Sequence, residues 1–198
     1  LMVYLVYYVF LADGRLALLV ARWNDDDFRF LIELMEAVLA HFSASVDGQG
    51  GGFYFTADDH EKLIQRPRPW MDEATPSGNG IAAQLLIRLG HLLGETRYLG
   101  AAEATLKAAW QDIQGFPHAH SALLNAVEEW LYPTETVVLR GQQSELFEWS
   151  KTLSEEYAPR RLVLAIPDNA TPLMDALAGY EAPAVGVSAY VCREGRCL

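Results

Sequence analysis

Apolar residues Phe28, Leu31, Ile32, Met35, Val38, Leu39 and Phe42 recur at helical spacing behind the acidic triplet Asp25, Asp26 and Asp27. That period predicts an amphipathic helix, with the acids at the end where the helix dipole favours negative charge. Gly48, Gly50, Gly51 and Gly52 then punctuate the chain ahead of Phe53, Tyr54, Phe55 and Thr56, a short strand or extended loop. Residues 57–76 have no sustained helical period and three prolines, which predicts a long ordered loop. A second helix is expected from Ile81 through Leu93, with Gly94 as its stop, and a third from Tyr98 to Gly115. Pro117 opens a fourth, from His118 to about Tyr132, which Pro133 ends.

Beyond Pro133 the period changes. Val137 to Leu139, Leu162 to Ile166 and residues 185–192 are short β-branched runs, separated by helical segments at residues 144–157 and 173–178. This is the pattern of a βαβαβ unit with a small parallel sheet. Residues 1–133 are therefore expected to form antiparallel helical hairpins, and residues 134–198 a small α/β extension. Only Arg140, Gly141 and Gln142 follow the first strand, so no glycine-rich phosphate loop is in place and nucleotide binding is not expected.

Charge narrows the partners. The 198 residues carry a net charge of −11, which repels a phosphate backbone and an anionic membrane surface. The apolar run at residues 1–12 is too short to span a bilayer and reads as a buried helix already under way, as in a piece of a longer protein. The two cysteines, Cys192 and Cys197, do not make a disulfide framework or a zinc half-site. They are either reduced thiols on a cytoplasmic tail or close enough to bridge.

Two segments carry a family resemblance: Gly51-Gly52-Phe53-Tyr54-Phe55-Thr56-Ala57-Asp58-Asp59-His60, and Asp72-Glu73-Ala74-Thr75-Pro76-Ser77-Gly78-Asn79-Gly80. With the closing segment Ala189-Tyr190-Val191-Cys192 and Cys197, they are similar in order to signatures of the thioredoxin-domain-containing, spermatogenesis-associated family, whose bacterial members are called YyaL-like. The resemblance implies a mainly α fold: helical hairpins from an (α/α)6 toroid, like that of N-acylglucosamine 2-epimerases and six-hairpin glycosidases, with a small C-terminal α/β extension. It also implies an upstream part of the toroid and a thioredoxin-like domain in the same protein. Val6 and Tyr7 stand where the family usually has an acidic pair.

Candidate chemistry concentrates in residues 53–79. Asp72 and Glu73 are neighbouring carboxylates that a partly dry pocket would set to acid/base work, with His118 as a further base. Tyr54 and Trp70 could stack on a sugar ring. Ser77 and Asn79 precede an apolar helix and either bind a ligand hydroxyl or simply cap the helix. His118 and His120 lie about 200° apart around a helix and cannot share a metal, and Asp58, Asp59, His60 and Glu61 resemble a metal cluster by composition alone, because consecutive residues seldom converge on one ion. No metal and no cofactor is expected. Two functions follow: a carbohydrate-binding or carbohydrate-active protein, or a non-catalytic scaffold that binds a partner or regulates the thioredoxin-like domain.

Overall fold

In the computed structural model, residues 23–44, 50–158, 160–170, 175–193 and 196–197 are described. The expected helix at residues 1–12 and the positions Val6 and Tyr7 lie outside them.

Helix α1 runs over Asp25–His41, and the Asn24 side chain caps it by accepting the Asp26 and Asp27 N–H groups at 2.9 and 3.3 Å. Its buried face is Phe28, Leu31, Leu34, Met35 and Val38. Helix α2 spans Gly78–Leu93 and ends on Gly94 at φ 70°, a left-handed conformation that glycine adopts without strain. Helix α3 covers Thr96–Gly115; a 3₁₀ turn at Pro117–Ala119 then leads into α4, Ser121–Leu131. The fourth helix thus begins later than its periodicity suggests, because His120 leaves helical geometry at φ −133°, ψ 37°.

Helix α2 packs on both α3 and α4. The α2–α4 approach is close enough that a Cβ on Gly80 would lie 2.5 Å from that of Ala122. On the same seam Arg88 clamps the buried Glu129 carboxylate through two hydrogen bonds, the longer at 2.9 Å. Arg97 and the Tyr98 hydroxyl both donate to Glu36, tying α3 to α1.

A mixed sheet follows, with order β2-β1-β3-β4. Its strands are β1 (Glu135–Gly141), β2 (Arg161–Pro167), β3 (Val187–Arg193) and the two-residue β4 (Arg196–Cys197), with α5 (Gln143–Ser154) and the short α6 (Asp175–Ala178) between them. β1 and β2 are parallel, as the α5 crossover requires. β3 is antiparallel to β1, which corrects the expectation of a parallel sheet. Val187 pairs with Gly141, so the chain leaves β2 and re-enters the sheet at one end, without the return along the sheet that a parallel strand would need.

The toroid expectation is also overturned. Among the described residues, four helices precede the sheet, and they do not form a ring of paired inner and outer helices. Instead one core joins Phe28, Leu31, Leu86, Leu89 and Tyr98 of the helices to Val138, Leu162, Leu164 and Ile166 of the sheet. The other sheet face packs Val137 and Leu139 against Leu146 of α5. Among the described residues, no helix is long and apolar enough to cross a membrane.

Candidate functional site

Asp72 organises the loop where the sequence concentrates its chemistry. Its Oδ1 accepts the Ser77 N–H at 2.8 Å, its Oδ2 accepts the Ala122 N–H at 2.9 Å, and its own N–H donates to the Ala119 carbonyl at 2.8 Å. One carboxylate therefore serves the N-terminal ends of α2 and α4 together, where backbone N–H groups lack helical partners. Each oxygen thus already accepts one backbone N–H.

Ser77 and Asn79 are committed in the same way. The Ser77 hydroxyl accepts the Gly80 N–H at 3.1 Å and is the α2 cap. Asn79 is wholly buried; its Oδ1 accepts the Phe53 N–H at 2.7 Å, and its Nδ2 donates to the Phe53 and Pro69 carbonyls at 3.0 and 2.9 Å. A single amide thus holds both ends of the segment from Phe53 to Pro69 against α2. Such buried polar groups stabilise only while every partner is in place.

A shallow cavity of about 330 Å³ opens beside this frame. It is lined by Asp72, Glu73, Thr75, Gln84, Ser121 and Asn125, with Pro76, Ile81 and Ala122 among its apolar groups. Glu73 is exposed and presents a carboxylate at the rim. Gln84 is anchored by its Nε2, which donates to the Ala122 carbonyl at 2.9 Å.

The remaining candidates stand elsewhere. The Arg66 guanidinium lies 4.3 Å over the Tyr54 ring, and that of Arg68 lies 5.1 Å from the Trp70 ring centroid. Trp70 also fills the space beside Gly52, where an added Cβ would fall 2.3 Å from the indole. Both rings are engaged by cations of their own loop. His118 is exposed on the 3₁₀ turn with its ring edge-on to Phe116 at 6.4 Å, and it does not line the cavity. His120 is buried and pairs its Nδ1 with the Phe116 carbonyl at 2.8 Å. The structure therefore gathers Asp72 and Glu73 at one cavity and leaves Tyr54, Trp70 and His118 outside it.

Gln84, Ser121 and Asn125 were not singled out from sequence. Their only signal is position, since α4 begins opposite α2, and that juxtaposition is tertiary. At the other end of the molecule, Cys192 and Cys197 face each other across the β3–β4 pair and are joined as a disulfide with Cα atoms 4.0 Å apart. The Tyr180 hydroxyl lies 3.5 Å from each sulfur.

No family model matches the chain, and no curated protein matches it.

Proposed function

We propose that this chain is a non-catalytic binding module whose cavity between the N-terminal ends of α2 and α4 takes a small polyol or sugar. The observation that carries the reading is the commitment of both Asp72 oxygens to backbone N–H groups. The residue best placed to be an acid/base group is occupied in holding the wall of the cavity. What remains around it is a carboxylate, hydroxyls and amides, from Glu73, Thr75, Ser121 and Asn125, a set suited to hydrogen-bonding hydroxyl groups.

Calorimetric titration with a panel of mono- and disaccharides tests this. Saturable binding of at least one sugar is expected, with Asn125→Ala and Glu73→Gln each weakening it several-fold, as the loss of one hydrogen bond does. Hydrolysis or epimerisation of the bound sugar would overturn the non-catalytic reading. Absence of binding across the panel would overturn the sugar reading.

The scaffold reading has its own support at the corner between α4 and β1. There Leu131, Tyr132 and Tyr157 are 63%, 60% and 91% exposed around a cavity of about 510 Å³ that also holds Glu135, Arg160, Arg161 and Arg193. Exposed tyrosines beside arginines are the composition of a protein contact. On the cytoplasmic placement, the Cys192–Cys197 bridge would meet a reducing environment and open.

A further inference from the structure

We propose that His41, Asp58 and Asp59 form a binding site for a divalent transition metal, with zinc the ion that best suits their donors. The three side chains each offer a ligand atom, and these atoms lie within 4.8 Å of one another. His41 Nδ1 is 2.8 Å from Asp58 Oδ1. A tetrahedral ion about 2.0–2.2 Å from each ligand sets them roughly 3.3–3.5 Å apart. His41 Nδ1 and Asp58 Oδ1 are closer than that spacing and the other pairs lie within 4.8 Å, so small side-chain rotations admit an ion.

The ligands come from different elements. His41 is the last residue of α1, and residues 52–58 run beside the helix end. Main-chain bonds fasten this contact: Ala44 N–H to Gly52 O at 2.9 Å, Tyr54 N–H to Phe42 O at 2.8 Å and Asp58 N–H to His41 O at 2.9 Å. The Arg66 guanidinium reinforces it by donating to the His41 and Thr56 carbonyls at 3.2 and 2.9 Å. His60, the histidine adjacent in sequence, is used otherwise, with its Nδ1 3.2 Å from the Glu61 carbonyl.

Asp59 is exposed, as are His41 and Asp58. Among the described residues its carboxylate makes no hydrogen bond or ion pair, yet it is held beside a second carboxylate. Asp58 already has the His41 imidazole and the Arg66 guanidinium acting on it, which leaves Asp59 as the carboxylate of the three that is open to an ion. The imidazole nitrogen also selects the class of cation: magnesium and calcium prefer all-oxygen sites, whereas zinc accepts nitrogen and oxygen together. Three protein ligands leave a position for water, so the site is open. None of its three residues lines the cavity at α2 and α4.

Zinc titration of the disulfide-intact, EDTA-stripped chain tests the proposal by calorimetry. One zinc ion per chain is expected, unaffected by millimolar magnesium or calcium. Asp59→Asn should weaken binding at least about tenfold while leaving the melting temperature in EDTA unchanged, because that side chain has no partner to lose. His41→Ala should abolish binding, and zinc should raise the melting temperature of the parent but not of Asp59→Asn. The proposal fails if zinc does not saturate, if Asp59→Asn binds as tightly as the parent, or if magnesium competes equally, which would mark a general acidic patch.

Discussion

Asp72 shows how a residue chosen for chemistry from its neighbours can be spent on architecture. Its replacement by Asn keeps one acceptor but turns an amide N–H toward a backbone N–H. Asp72→Asn should therefore cost about 1–3 kcal/mol of unfolding free energy, read by urea titration, and a change within error would mean that the two helix ends do not depend on it. Arg140 poses the opposite case. It is 5% exposed on β1, its Nε and Nη1 have no hydrogen-bond partner, and burial pushes its guanidinium below the usual range, offset in part by the charges of Tyr190, Asp168 and Asp25. A buried cation without close partners costs more than it returns, so Arg140→Met should stabilise the fold by at least about 1 kcal/mol, and a lower melting temperature in the variant would refute this.

At the scale of elements, β1 sits between β2 and β3, and Glu135 at its start receives Arg161 from β2 at 2.8 Å and Arg193 from β3 at 2.6 Å. The hydrogen bond from Arg161, then that from Arg193, holds the Glu135 carboxyl below the usual carboxylate range against the opposing effect of burial. A depressed folded pKa contributes stability above the unfolded value, roughly 4.3, and that contribution is lost as pH falls through the folded value. Melting temperature should thus decline below about pH 4, and Glu135→Gln should flatten that part of the profile; an unchanged slope would remove Glu135 from the account. The helices were legible because Phe28 to Phe42 and Ile81 to Leu93 keep a 3.6-residue period set by one buried face. The direction of β3 was not, because strand order depends on which end of β1 the chain reaches after α6. The absence of a toroid was equally invisible, since nothing in the period of Val138, Leu162 and Leu164 says that they join one core with residues of α1 and α2. The cavity suffered from the same limit: Asp72 and Glu73 were readable as neighbours, but Ser121 and Asn125 reach them only through the close approach at Gly80.

Across the whole molecule, helices and sheet share one core, so damage at a single buried polar group reaches both. Asn79 is followed by Gly80, the pairing most prone to spontaneous deamidation in a flexible chain, where the following backbone nitrogen attacks the side-chain amide. Here that nitrogen donates its hydrogen to Ser77 Oγ within the first turn of α2, and the amide is bonded on both sides. Chemical ageing at this site requires the turn to open first. Ser77→Ala should accelerate it during prolonged warm incubation, seen by mass spectrometry as an amide-to-acid conversion in the peptide containing residue 79; equal rates in variant and parent would show that the cap gives no protection. Were the conversion to occur, a carboxylate would face the Phe53 and Pro69 carbonyls where an amide now donates, and the loop would be repelled from the helix it is fastened to. The hydroxyl of one serine therefore acts as a timer on the shelf life of the folded chain.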